Sequence, residues 1–191
     1  MQPPLPPSLV DGKTFVVTGA NIGLGFACAQ SLVRDGATVI MACRNEGRAR
    51  AAMDAIGTHA RGSTRFYPLD LASLSSIERF ADALHANFDT IDGLCNNAGI
   101  MAVPRHETED GFERQFGTNH LGHFALSLRL LPLLRAGEGA RVVTVTSLAH
   151  RAGTIDLEDL QGERRYRRWG AYAQSKLANL MFALEFDRRC V

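Results

Sequence analysis

The 191-residue chain suits one domain, and with 46% hydrophobic residues it can bury a sizeable core. A net charge of +1 removes any global electrostatic argument for nucleic acid or an acidic membrane surface. The four cysteines, Cys28, Cys43, Cys95 and Cys190, form no Cys-x-x-Cys pair; three sit in apolar stretches, and the expectation is buried free thiols in a reducing compartment, with neither a disulfide framework nor a metal site.

No apolar run is long enough to span a bilayer. Met1 to Pro7 lacks the basic and apolar regions of a signal peptide, so residues 1–12 read as a proline-stiffened arm and the protein as cytoplasmic. The domain proper is expected over 13–191.

Lys13 to Thr18 is a short apolar, β-branched run and predicts a buried strand. It runs into Gly19-Ala20-Asn21-Ile22-Gly23-Leu24-Gly25, and Phe26 to Asp35 then reads as a helix ended by Gly36. Strand, glycine-rich turn and helix form the context of a dinucleotide-binding loop. Glycines there allow a tight turn and close backbone approach to a pyrophosphate, while the helix N-terminus offers unpaired N–H groups. An ordinary flexible turn is the competing reading. The spacing Gly-x-x-x-Gly-x-Gly also departs from the usual Gly-x-Gly-x-x-Gly fingerprint.

Ala37 to Cys43 predicts the second strand. An acid at its end would hold the ribose 2′-hydroxyl of NAD; this chain has Arg44 instead, which suits a 2′-phosphate. NADP is therefore favoured over NAD, against the alternative of a solvated loop arginine. Asn45 to Ile56 predicts a helix and Arg65 to Leu71 the third strand with its exit. Asp70 either meets an adenine edge or caps the next helix, Leu74 to Asn87, whose apolar residues keep helical spacing.

Asp92 to Asn96 predicts the fourth strand, ending in Asn96-Asn97-Ala98-Gly99, where small residues allow close approach to a flat ligand and asparagines can brace strand ends. A long helix is expected from Phe112 to Leu134. Within it, His120 and His123 have metal-like spacing but no completing ligand, and Asn119 is either a bracing residue or part of a proton path. Ala140 to Thr146 predicts the fifth strand, placing Ser147 at a carboxyl end, where functional groups of open parallel sheets gather. No Gly-x-Ser-x-Gly surrounds Ser147, so it reads as a hydrogen-bond donor to a substrate oxygen and not as a nucleophile.

Glu158 to Trp169 reads as a solvated, arginine-rich loop over the mouth of the site; Arg164 to Arg168 around Tyr166 is too short and too flanked by acids to favour nucleic acid. The final helix carries Tyr172 and Lys176 one turn apart on one face. A phenol has a pKa of roughly 10, and a neighbouring ammonium favours the phenolate, so the pair reads as a proton-transfer couple. Alternating strands and helices predict an α/β fold, a doubly wound parallel sheet with helices on both faces.

Several motifs occur together in chain order: Thr18-Gly-Ala-Asn-Ile-Gly-Leu-Gly25, Asp70-Leu71, Asn96-Asn-Ala-Gly99, Asn119, Ser147 and Tyr172-Ala-Gln-Ser-Lys176. This ordered set resembles the short-chain dehydrogenase/reductase family. Met41-Ala-Cys-Arg44, Asn119-His-Leu-Gly-His-Phe124 and Ser147-Leu-Ala-His150 look like its retinol dehydrogenase-like branch.

The resemblance implies a three-layer Rossmann-type fold with strand order 3-2-1-4-5. It implies hydride transfer between NADP and an apolar alcohol or carbonyl compound such as a retinoid, steroid or lipid. Carried over by resemblance, Tyr172 is the general acid/base and Lys176 lowers its pKa and holds the nicotinamide ribose. Ser147 orients the substrate oxygen, and Asn119 positions a water. Thr18, Gly19, Asn21, Ile22, Gly23 and Gly25 belong to the pyrophosphate loop. Arg44 meets the 2′-phosphate, Asp70 and Leu71 the adenine, and Asn97, Ala98 and Gly99 the adenosine ribose region. The family's pairing through two long helices implies a homodimer or homotetramer. The sequence stops where family members continue into further strands and a substrate-covering segment, so a truncated chain is expected. A non-catalytic cofactor-binding fragment or regulator is the alternative.

Overall fold

The computed structural model describes residues 9–57 and 60–190. Most of the expected proline-rich arm, residues 1–8, lies outside the described residues; residues 9–12 turn into the first strand, with Gly12 N–H donating to Gly36 O at 3.1 Å.

Five parallel strands form one sheet in the order β3-β2-β1-β4-β5, as the resemblance implied. They are β1 (Thr14–Thr18), β2 (Thr38–Cys43), β3 (Ser63–Pro68), β4 (Gly93–Asn96) and β5 (Arg141–Thr144). The helices are α1 (Gly23–Arg34), α2 (Glu46–Ile56), α3 (Leu74–Asn87), α4 (Arg114–Phe116), α5 (Gly122–Ala136) and α6 (Arg168–Cys190).

The strand period of two sends neighbouring residues into different cores. Val16, Ile40 and Leu94 pack with Ile77, Phe80 and Leu84 of α3 and with Leu126 and Leu130 of α5. Val17, Val39 and Met41 pack on the opposite face with Ala29 and Val33 of α1 and Ala49 and Ala52 of α2. Burial on both faces explains why β1 and β2 read as continuous apolar runs. Asn45 caps α2 by accepting from Arg48 N–H at 2.8 Å, and Ser73 caps α3 by accepting from Ser76 N–H at 3.3 Å.

Three local expectations are corrected. The first helix begins at Gly23, before Phe26, because the end of the glycine loop already winds into its first turn. The expected regular helix from Phe112 is three pieces: α4, a π-helical turn Gly117–Leu121, and α5. Side-chain bonds compete with the helical ladder there: the Asn119 amide clamps the backbone of Ile100, and His123 Nδ1 bonds the Asn119 carbonyl.

The arginine-rich connection is not simply solvated. Tyr166 tucks inward, donating to Val103 O at 2.9 Å and accepting from Gln115 Nε2 at 2.8 Å, and burial pushes its phenol pKa up. The Asp159 carboxylate accepts backbone N–H groups of Glu163, Arg164 and Arg165, Arg164 foremost in holding its pKa down.

Candidate active site

The carboxyl ends of β1, β2, β4 and β5 open into a cleft of about 620 Å³. At the end of β1, Gly19 and Gly23 have φ of +65° and +60°, the left-handed region that side chains disfavour. Gly25 is required by space: a Cβ there would lie 2.4 Å from Asn97 Nδ2 and 2.5 Å from Gly19 O. The α1 N-terminus that this loop presents has Ile22 at its cap position and no side-chain hydrogen bond, unlike α2 and α3. Its orphan N–H groups and positive dipole end are left for an anion.

Thr18 is fully buried and organises the floor of the cleft. Its Oγ1 accepts from Asn97 N–H and Ala98 N–H, each at 2.9 Å, and its carbonyl accepts from Asn97 Nδ2 at 2.8 Å. The β1 and β4 ends are thereby sewn together. Adjacent Asn96 faces the other way, donating to Ser127 Oγ at 2.9 Å.

Arg44 stands at the end of β2 with Nη1 3.6 Å from Asp70 Oδ2, and both border the cleft. Asp70 does not cap α3; its Oδ1 accepts from Ala72 N–H at 2.9 Å, forming the turn before Ser73 takes the cap position.

Asn119 is fully buried in the π turn. Its Oδ1 accepts from Ile100 N–H at 2.8 Å, and its Nδ2 donates to Ile100 O at 2.9 Å and Ser175 Oγ at 3.0 Å. Gly99 makes room beside it: a Cβ there would sit 3.2 Å from Asn119 Oδ1 and 3.6 Å from Lys176 Nζ. Lys176 is only 4% exposed. Its Nζ donates to Val145 O at 3.0 Å and stands 5.8 Å from the centre of the Tyr172 ring, and desolvation lowers its pKa. The fifth strand ends at Thr144, short of the expected Thr146, and Ser147 lies three residues beyond it as the cap of the 3-10 turn Leu148–Ala152, its Oγ accepting from Ala149 N–H at 3.2 Å.

Of the residues expected from sequence, Gly19, Asn21, Ile22, Arg44, Asp70, Leu71, Asn97, Ala98, Gly99, Ser147, Tyr172 and Lys176 line this cleft. Thr18, Gly23, Gly25 and Asn119 are not among its lining residues; Thr18 and Asn119 are fully buried beside it and hold lining residues in place. Sequence reasoning missed Arg48, Met101, Arg114 and Thr118, which also border it. Their only signal was proximity to recognised motifs. It also missed His123, whose spacing from His120 suggested metal but whose ring instead bonds Thr18 and Asn119.

A dinucleotide fits this cradle by its own geometry: an uncapped helix N-terminus, glycine-enforced close approach and a guanidinium at the second strand end. The chain belongs to the short-chain dehydrogenase family, whose profile matches residues 13–189. Among curated relatives it is 48% identical to polyprenol dehydrogenase of Mus musculus, over 97% of this chain and 56% of that protein. It is 46% identical to retinol dehydrogenase 13 of Homo sapiens, over 94% of this chain and 55% of that protein. The chain thus spans a little over half the length of these relatives.

A solved protein from Mycobacterium Paratuberculosis superposes with a TM-score of 0.83 at 51% identity, over 94% of this chain and 63% of that one. A short-chain dehydrogenase from Escherichia coli CFT073, solved in complex with NADPH, superposes with a TM-score of 0.75 at 27% identity, over 94% of this chain and 72% of that one.

Proposed function

We propose that this chain carries the cofactor-binding and proton-transfer half of an NADP-dependent oxidoreductase interconverting an alcohol and a carbonyl on an apolar substrate. The observation that carries the reading is the meeting of Ser147, Tyr172 and Lys176 with the uncapped α1 N-terminus in one cleft. When bound, the nicotinamide supplies the hydride chemistry.

The chain's own residues do the rest. The α1 N–H groups and the turn at Gly19–Gly23 hold the pyrophosphate. Arg44, with Asp70 beside it, takes the 2′-phosphate through charge-assisted bonds. Leu71 and Asp70 flank the adenine, and Asn97 to Gly99 the adenosine ribose. Ser147 and Tyr172 donate to the substrate oxygen as negative charge builds there, and Tyr172 moves the proton. Lys176, desolvated and fixed by Val145 O, places positive charge beside the Tyr172 ring. Asn119 holds the neighbouring turn and a water of the proton path.

The apolar substrate class rests on the retinol and polyprenol dehydrogenase relatives and on exposed Met101 at the cleft, which is 56% exposed. The exposed apolar residues Phe124 of α5 and Met181 and Leu184 of α6 support a homodimer or homotetramer built on these helices. We place the protein in the cytoplasm; no helix among the described residues is long and apolar enough to cross a membrane.

The test is a fluorescence titration of the chain with NADPH and with NADH, followed by a screen of retinoid and prenyl alcohols and aldehydes. Tighter NADPH binding and Tyr172-dependent turnover are expected. Cofactor binding without turnover would reduce the chain to a cofactor-binding module, and no binding would refute the reading for this chain.

A further inference from the structure

His123 is 1% exposed, and its ring lies between two parts of the cleft that are far apart in sequence. Nδ1 is 2.9 Å from Asn119 O, and Nε2 is 2.9 Å from Thr18 Oγ1. A carbonyl oxygen only accepts, so Nδ1 carries a proton and donates. Thr18 Oγ1 already accepts from Asn97 N–H and Ala98 N–H, which uses its acceptor capacity. Its single proton therefore goes to Nε2, in preference to Cys95 O at 3.3 Å.

The donors then run in one direction: from the Asn97 and Ala98 amides to Thr18, from Thr18 to His123, and from His123 to the Asn119 carbonyl. An imidazolium would aim a third donor at the Thr18 oxygen and break this order. Burial disfavours that charge, and the two ionisable groups that face the ring, Lys176 from α6 and His120 from the π turn, disfavour it further. The His123 backbone is also anchored. Its carbonyl accepts from Ser127 Oγ at 2.7 Å, and Ser127 in turn accepts from Asn96 Nδ2.

We propose that His123 is a positioning residue of the cleft, its neutral ring holding the π turn that carries Asn119 in register with the Thr18 floor on which Asn97 and Ala98 hang. The need for it follows from the π turn, where the regular helical ladder no longer dictates where the Asn119 carbonyl sits. This inference rests on the proposed function for its meaning, because the floor and the turn border the expected cofactor and proton-transfer positions. The hydrogen-bond chain itself can be read without a cofactor.

The experiment has two arms. In the first, the ring nitrogens of histidine-labelled protein are observed by NMR without cofactor, together with amide exchange at Asn97 and Ala98. His123 should show a protonated Nδ1 and an accepting Nε2, at neutral pH and still at about pH 5.5. The opposite tautomer, or a doubly protonated ring at that pH, overturns the proposal.

In the second arm, His123→Leu and His123→Gln are compared with wild type. His123→Leu removes both bonds and should weaken NADPH binding by at least about tenfold, while His123→Gln, which keeps a donor and an acceptor, should stay within about threefold of wild type. Exchange at Ala98 should accelerate by about tenfold in His123→Leu only. Wild-type binding and exchange in His123→Leu would overturn the proposal, as would equal losses in both variants. A wild-type chain that binds no NADPH would sink the proposed function, and the tautomer and the exchange at Ala98 would then decide this inference by themselves. If His123→Leu does not fold, the tautomer and His123→Gln make the same decision.

Discussion

Gly25→Ala tests whether the glycine loop is a cradle of fixed shape. The added Cβ would meet Asn97 Nδ2 at 2.4 Å, Gly19 O at 2.5 Å and Gly19 C at 3.0 Å, where ordinary contact begins at 3.4 Å. Neither neighbour can yield freely. Asn97 Nδ2 is tied to Thr18 O at 2.8 Å, and Gly19 is held at φ +65° with its N–H on Ala42 O at 2.9 Å. Overpacking of this kind costs about 1–3 kcal/mol, and loss of the Asn97 bond adds about 1 kcal/mol. A total of about 2–4 kcal/mol is expected, appearing as lost NADPH affinity of roughly 30-fold or more if the loop alone gives way. If the strain spreads, it appears instead as a lower urea midpoint.

Gly12→Asn is the control, because a Cβ at Gly12 meets nothing within 4 Å, asparagine tolerates its positive φ of +74°, and Gly12 does not line the cleft. The assay is NADPH titration alongside urea denaturation for both variants. Wild-type affinity together with a wild-type urea midpoint in Gly25→Ala would refute the close-packed cradle.

Tyr172→Phe should lower turnover by at least about 100-fold while leaving NADPH affinity within about threefold, since the ring contacts survive and only the proton donor is lost. Turnover is measured with the best compound of the carbonyl screen, and an unchanged rate would contradict the role given to this residue. Arg44→Ala should cost about tenfold or more in NADPH affinity and leave NADH nearly unaffected, because a charge-assisted bond is worth about 1.5–3 kcal/mol; equal losses for both cofactors would dissociate Arg44 from the 2′-phosphate.

Burial holds the His123 pKa down, from 6.5 to about 4. The folded state keeps the ring neutral while the unfolded chain takes a proton below pH 6.5, so this contribution is present above that pH and is lost as pH falls toward 4. The gap corresponds to roughly 3 kcal/mol. Urea midpoints measured from neutral to acidic pH should therefore fall more steeply for wild type than for His123→Gln, and parallel curves would show that the ring is not held neutral. Tyr166→Phe should destabilise the connection before α6 by about 1–2 kcal/mol, because Val103 O and one Gln115 Nε2 N–H lose the hydroxyl, while the other Gln115 N–H keeps Arg168 O. Limited proteolysis around Arg164 reads this, and an unchanged cleavage rate would mean the hydroxyl is dispensable.

Much of the molecule was legible in the residues alone. β1 and β2 announce themselves because consecutive apolar, β-branched residues are needed when both faces of a strand are buried, as Val16 and Val17 are in opposite cores. The helix over Leu74 to Asn87 was readable to its ends, since its apolar spacing is a local property. The glycine loop was readable for the same reason: strand, turn and helix follow one another in the chain.

The partners of polar side chains were not legible. Asp70 was a plausible cap, and only the backbone path shows that it closes the preceding turn while Ser73 caps the helix. Asn96 and Asn97 are neighbours of one type, yet one braces Ser127 and the other Thr18, because successive strand residues point to opposite faces. The π turn at Asn119 has no periodic signature. It accompanies bonds to Ile100, and Asn119 also reaches Ser175, 56 residues away.

His123 shows the limit most clearly, since its ring meets Thr18 across 105 residues of sequence. Periodicity and capping depend on residues within a turn or two of one another, so the sequence by itself determines the elements and their order. Which hydroxyl meets which imidazole depends on strand adjacency, register and helix phase together, and those are decided only when the sheet assembles.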